Sequence, residues 1–343
     1  MARNRSSNLH QHYRNKKALA KKVRVKQKYL RETPVDSSVL EDADLLAKFP
    51  NVMIVEVKNA KFQVMVDEAT LEVCLSDKIT SDYSRYFVVG DTVAIDVTAI
   101  VARAPRKSFL ARMRGDNMRF ATLEKEEHTV AANVDIAVIV ATAAEPKFHA
   151  GLVDRYLIIA QNGGVAPIIC FNKCDLITER PEILAYYRDN LGIPVVEVSA
   201  RTGQGVEELK KLLTGKIAVL VGNSGVGKSS ITNLFQLQLD VVTQEVSARN
   251  KEGKHTTRTT NLYEWEKGSF LIDTPGIRSL GISHIGREDL KYYFQEFDLP
   301  CRYNDCLHDH EEEVDCAVKQ AVSEGKIHAY RYESYRRMLE DLV

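Results

Sequence analysis

Asn172-Lys173-Cys174-Asp175 stands fifty residues ahead of Gly222-Asn223-Ser224-Gly225-Val226-Gly227-Lys228-Ser229, and the order of these two stretches decides how the chain must fold. The second stretch follows an apolar run, Ile217–Val221, and opens a helical one, Lys228–Phe235. A strand, a glycine-rich turn and a helix start make a phosphate cradle: glycines let backbone amides curl around anionic oxygens, and the helix N-terminus adds partial positive charge. Within Gly222, Asn223, Ser224, Gly225, Val226, Gly227, Lys228, Ser229 and Ser230, Lys228 is expected to reach the β- and γ-phosphates. The Ser229 hydroxyl is expected on Mg²⁺.

Asn172, Lys173, Cys174 and Asp175 close another apolar run, Ala166–Phe171, and Ser199-Ala200-Arg201 closes the next, Pro194–Val198. A carboxylate at Asp175 can accept from guanine N1–H and N2–H, which adenine does not offer there, while the Ala200 amide is expected at guanine O6. Asp273, after Ser269–Ile272, fits the acid of a Mg²⁺ shell, with the Gly276 amide near the γ-phosphate. Position 277 is Ile, so no side chain there can orient an attacking water. His255 is the nearest candidate for that part. Thr257 is read as the Mg²⁺ threonine, with Thr256 or Thr259 as substitutes. The polar segment 246–260 is expected to gain order with nucleotide. Every part of a GTP site is present, yet guanine reader precedes phosphate loop. A doubly wound sheet tolerates such a circular permutation, because its core needs strands adjacent in space and not in sequence.

Around this block the composition changes. The chain has 343 residues and no net charge, but residues 1–32 hold eleven Lys or Arg against one acid, Glu32. Such a cationic tail suits a polyanion such as RNA. No apolar run has the length of a membrane span, and nothing suggests secretion, so a cytoplasmic monomer is expected. Residues 45–112 alternate β-branched and polar residues in short runs (Val52–Val57, Phe62–Val66, Thr70–Val73, Thr92–Val97), which argues for a small barrel or sandwich. Residues 113–286 show fully apolar strands, among them Asp135–Ala141, between helical segments Val153–Ala160, Glu182–Arg188 and Val206–Leu213. That pattern means a mainly parallel sheet covered on both faces. Residues 1–44 are read as a disordered tail and 287–343 as a charged helical unit.

Cys301-x₄-Cys306-x-His308-x₇-Cys316 offers three thiolates and one imidazole within sixteen residues, a closed set suited to one structural Zn²⁺. His310 lies in the last gap and competes as a ligand. Cys74, Cys170 and Cys174 sit in apolar stretches and read as small buried hydrophobes.

The permuted order, with FNKCD at 171–175, VSARTGQG at 198–205, GNSGVGKSS at 222–230, GKHTT at 253–257, DTPGIR at 273–278 and CRYNDCLH at 301–308, resembles the RsgA family of bacterial small-ribosomal-subunit GTPases. The resemblance covers about residues 45–343. It implies a multidomain fold: an oligonucleotide-binding β-barrel (OB-like), a circularly permuted α/β P-loop GTPase domain and a C-terminal zinc-binding helical domain. It also implies late maturation of the small subunit, rRNA as partner, and GTP hydrolysis to GDP that the subunit stimulates and that is coupled to release. The alternative is a nucleotide-gated rRNA scaffold whose hydrolysis is incidental. The chain departs from the family in having Arg258 where a third threonine is usual, and in a His308–Cys316 gap two residues longer than common.

Overall fold

In a computed structural model, the structure describes residues 40–58, 61–67, 69–79, 86–113, 127–243, 261–273, 281–282 and 285–342. The basic tail, His255, Thr256, Thr257, Arg258, Thr259, Gly276 and Ile277 lie outside the described residues.

After a capped turn of helix, α1 (Ala43–Lys48), five strands follow: β1 (Asn51–Lys58), β2 (Lys61–Val66), β3 (Ala69–Leu75), β4 (Thr92–Asp96) and β5 (Ala99–Arg103). Their pairing order is β1-β2-β3-β5-β4, and β4 pairs back onto β1 through Val52↔Val93. The sheet is therefore a closed barrel. Closure is what the alternating pattern alone left open between barrel and sandwich. A bulge between Ile54 and Glu56 bends β1 enough to serve both neighbours. Ile54, Phe62, Val64, Val93 and Ile100 fill the interior, and Phe62 meets Phe87 edge to face at 5.7 Å. Leu40, ahead of the expected start at 45, is buried in the same core, and its carbonyl accepts from Arg103 N–H at 2.7 Å.

A hairpin, β6 (Phe109–Met113) with β7 (Glu127–Ala132), leads into a doubly wound unit. This contains β8 (Ile136–Thr142), α2 (Ala150–Asn162), β9 (Ala166–Asn172), α3 (Glu182–Asp189), β10 (Val195–Glu197), α4 (Val206–Leu213), β11 (Ile217–Val221), α5 (Lys228–Thr243), β12 (Asn261–Glu266) and β13 (Ser269–Asp273). The order β10-β9-β8-β11-β13 is parallel throughout, with β12 antiparallel at its edge. Both faces are covered, which is why these strands read as unbroken apolar runs. In β8, Ala137, Ile139 and Ala141 point into the α2 side, while Ile136, Val138 and Val140 point towards α4 and α5.

Two joints tie this unit to its neighbours. Arg106 donates to both carboxylate oxygens of the barrel's buried Asp91, at 2.7 and 2.8 Å, and to Thr129 Oγ1 of β7 at 3.0 Å. Gly90 abuts β7 so closely that a Cβ there would sit 2.0 Å from the Ala132 carbonyl oxygen. In addition, β12 pairs with β1 at Glu56↔Asn261, so one sheet runs from the barrel into the nucleotide-binding unit.

The C-terminal segment adds short 3₁₀ turns, then α6 (Ala317–Ser323) and α7 (Ala329–Asp341). It shares a core with α2: Phe294, Phe297, Tyr335, Met338 and Leu339 join Tyr156 and Tyr187 in one cluster. At its centre the buried Arg331 guanidinium bonds Asp154 of α2 and, at 2.6 Å, Glu296, while Tyr187 OH donates to Asp154 at 2.6 Å. Among the described residues no helix is long and apolar enough to cross a membrane.

Candidate functional site

Permutation leaves the strand ends where the chemistry needs them. The turns after β8, β9, β10 and β11 all lie at the carboxyl edge of the parallel sheet, the edge where such sheets take ligands.

In the turn after β11, Gly222 has φ +142° and Gly227 φ +96°, values that side-chain-bearing residues rarely adopt. Space is as restrictive as torsion. A Cβ on Gly222 would lie 2.4 Å from the Val140 carbonyl oxygen, and one on Gly227 2.2 Å from Asn172 Nδ2. The Lys228 ammonium lies over the turn and donates to the carbonyls of Gly222 at 2.7 Å and Asn223 at 2.6 Å. Asn223, Ser224, Gly225, Ser229 and Ser230 are exposed at the mouth, while Val226 packs inward.

Asn172 holds three turns together. Its Nδ2 donates to the Val226 carbonyl at 2.8 Å, and its Oδ1 accepts from Ala200 N–H at 3.1 Å. The side chain is 1% exposed, so both polar ends are used inside the protein. The Ala200 amide, expected at guanine O6, here donates to Asn172, whose side chain links the turns. Cys174 also turns inward, its thiol in the core and raised in pKa chiefly by burial. Lys173 takes the left-handed conformation at φ +60° and reaches over to donate to the Glu145 carbonyl at 2.6 Å. The Asp175 side chain is only 12% exposed, and its carboxylate pairs with Arg201 at 2.9 Å. The Ser199 side-chain hydrogen bond, supported by Arg201, holds its pKa below the ordinary carboxylate value. It therefore remains an acceptor at neutral pH.

Sequence reasoning missed the turn after β8. Thr142 Oγ1 donates to the Ala144 carbonyl at 2.8 Å and shapes that turn, which carries Glu145 and sets Pro146 against Gly225. Its signal was available: a polar residue closing a fully apolar strand beside the phosphate loop. Asp273 ends β13 next to β11, at the same edge; its side chain lies outside the described residues.

On the far side of α2 the four ligand atoms of Cys301, Cys306, His308 and Cys316 lie within 4.8 Å of one another. His308 Nδ1 is 3.5, 3.2 and 3.4 Å from the sulfurs of Cys301, Cys306 and Cys316, and Cys301 and Cys316 sulfurs are 4.0 Å apart. A tetrahedral ion about 2.3 Å from sulfur and about 2.0 Å from nitrogen sets edges of roughly 3.6 and 3.8 Å. The donors fit such an ion, and the cluster is able to hold a metal. His310 points away, 84% exposed and 3.1 Å from Asp309. Burial keeps His308 uncharged, with its pKa down at about 4. The knuckle is braced from outside: Tyr332 OH donates to the His308 carbonyl at 2.7 Å, Lys291 to that of Cys306 at 2.8 Å and Lys319 to that of Asp309 at 2.7 Å.

A phosphate loop, a guanine-type turn and a Mg²⁺-type acid on one permuted sheet define a circularly permuted P-loop GTPase. The RsgA GTPase family model matches residues 103–283. A small ribosomal subunit biogenesis GTPase RsgA of Pseudomonas aeruginosa (strain LESB58) is 41% identical over 298 residues, covering 84% of this chain and 82% of that protein. Its counterpart from Ectopseudomonas mendocina is 44% identical over 253 residues, 71% of this chain and 70% of that one. The crystal structure of YjeQ from Thermotoga maritima superposes with a TM-score of 0.65 at 31% identity, over 85% of this chain and 98% of that one. YloQ, described as a circularly permuted GTPase, gives 0.62 at 27% identity, over 85% and 94%. The chain belongs to the RsgA GTPase family.

Proposed function

We propose that this protein binds GTP at the carboxyl edge of its permuted sheet, hydrolyses it to GDP and phosphate, and uses the cycle to engage and leave the maturing small ribosomal subunit. The observation that carries the reading is Asn172, which draws the turns after β9, β10 and β11 into one cradle despite their inverted chain order. The names of the relatives supply the subunit.

Within this reading Asp175 accepts from the guanine edge, with the Lys173 stem along the base, and Asn172 and Ala200 fix the two turns. The amides from Gly222 to Ser230 cradle the phosphates and Lys228 moves from the Gly222 and Asn223 carbonyls to the β- and γ-oxygens. Ser229, Thr257 and Asp273 would hold Mg²⁺, which neutralises developing phosphate charge. Gly276 donates near the γ-phosphate, and His255 orients water where Ile277 cannot. The cluster Cys301, Cys306, His308 and Cys316 would hold one structural Zn²⁺. The barrel, the basic tail and the metal knuckle form the rRNA-gripping units, at residues 45–112, 1–44 and 287–343 around a GTPase unit at 113–286. The site of action is the cytoplasm, as a monomer.

Co-sedimentation with purified small subunits tests the cycle. The protein should pellet with the subunit in a non-hydrolysable GTP analogue and stay in the supernatant with GDP. Equal pelleting in both would remove the nucleotide-controlled grip.

A further inference from the structure

Cys306 and His308 are two residues apart, and side chains so spaced on a helix point to opposite sides. The loop must therefore bend for both to face one ion. The bend falls on His308 itself, which takes the left-handed conformation at φ +59°. That conformation is uncommon for a residue with a side chain, and the surrounding structure has to hold it. In it, the imidazole Nδ1 faces the sulfurs of all three cysteines.

One side chain grips the backbone on both sides of this bend. An oxygen of the Glu311 carboxylate accepts from Leu307 N–H at 2.8 Å, and the other accepts from Asp309 N–H at 2.9 Å. Hydrogen bonds from backbone N–H to a carboxylate are among the stronger ones in proteins. In the sequence Glu311-Glu312-Glu313 reads as a solvated run of charge, yet Glu312 and Glu313 are exposed while Glu311 is half-buried against the ligand loop. Both of its oxygens are given to amides, so Glu311 braces the four-atom cluster without joining it as a ligand. Glu311 is fixed in turn from the first turn of α6. Lys319 donates to the Glu311 carbonyl at 2.5 Å and to that of Asp309 at 2.7 Å, and its own N–H lies 3.5 Å from the Cys316 sulfur. The carbonyl side of the loop is held from α7, where Tyr335 OH donates to Leu307 at 2.5 Å and Tyr332 OH to His308 at 2.7 Å.

We propose that Glu311 is the positioning residue of the metal knuckle: by gripping the amides on either side of His308 it holds the imidazole in place as the fourth ligand, with Lys319 keeping Glu311 in register. This role rests on the reading of the Cys301, Cys306, His308 and Cys316 cluster as a metal site. It is also selective, because Glu311 acts through His308 and not through the three thiolates. Partners that orient a metal-binding histidine in this way are typically worth about ten- to a hundredfold in metal affinity.

The test uses the full chain, freed of metal by a chelator and titrated with Co²⁺ under a reductant that spares the thiols. Affinity is read from the visible absorption of tetrahedral Co²⁺ bound to thiolates. Wild type should take up one ion per chain. Glu311→Gln keeps the size of the side chain but turns an NH₂ group towards one of the two amides, and it should weaken binding roughly ten- to a hundredfold. Glu312→Gln should leave the affinity unchanged. In a His308→Ala background Glu311→Gln should change Co²⁺ affinity little, because the ligand it positions is gone; the double-mutant cycle reads that coupling directly. Far-UV circular dichroism compares the folds, and Lys319→Met, which should weaken binding in the same sense, carries the comparison if Glu311→Gln unfolds. Wild-type affinity in the Glu311 and Lys319 variants, or an equal loss with and without His308, overturns the role of Glu311 and leaves the metal site standing. No uptake of Co²⁺ by wild type overturns the metal reading itself, and the role with it.

Discussion

Asn172 commits both ends of its amide to backbone groups of two other turns, so its removal strands a buried carbonyl and an N–H. Leaving such groups unpaired costs about 1–3 kcal/mol. Asn172→Ala should therefore weaken GTP binding roughly five- to a hundredfold, read by titration with a fluorescent GTP analogue, while Arg201→Ala, at a 76% exposed side chain, should change it little. Asp175 supplies the pH test. Its pKa is lowered by the Ser199 hydrogen bond and by Arg201, so the accepting carboxylate persists below the usual titration range. Affinity for guanosine, which carries no titrating phosphate, should stay level from neutral pH to about 4 and fall only below that; a decline already between pH 7 and 5 would assign the base contact elsewhere. Asp175→Asn should lose GTP and gain xanthosine triphosphate, whose C2 carbonyl can accept from the new amide. The residue types of this site were legible because phosphate and guanine demand them. What Asn172 and Ala200 do to each other was not, since their contact depends on where β9 and β10 end in space.

At the scale of elements, the apolar strands β8, β9 and β11 were readable because burial on both faces leaves no polar positions. By contrast, β12 was missed: in Asn-Leu-Tyr-Glu-Trp-Glu only Leu262 and Trp265 are buried, so neither an apolar run nor strict alternation marks it, and it lies between β13 and β1. Barrel closure was hidden for a similar reason, because it rests on the β1–β4 pairing across forty residues of chain. The Asp154–Arg331–Glu296 joint between α2 and α7 carried no motif at all. Arg331→Met should cost about 3–5 kcal/mol by leaving Asp154 buried without its partner, seen as a lowered melting temperature, and adding Asp154→Leu should recover a large part. At the knuckle, metal should bind one ion per chain. Its removal by a chelator should lower the melting temperature, and Cys316→Ser should mimic that loss whereas His310→Ala should not.

For the whole molecule, the joints through Arg106–Asp91, β1–β12 and Arg331–Asp154 make barrel, permuted sheet and metal knuckle one connected body. A protein built this way presents several surfaces to a large partner in fixed relation, and its nucleotide cycle acts within that frame. The chain carries Ile277 where a water-orienting side chain is often found, so hydrolysis alone should be slow and the partner should supply alignment. The direct measurement is GTP turnover by the purified protein alone, with isolated small subunits and with isolated large subunits. Strong acceleration by small subunits only is the predicted result. Equal acceleration by both, or none by either, would contradict a GTPase cycle governed by the small subunit.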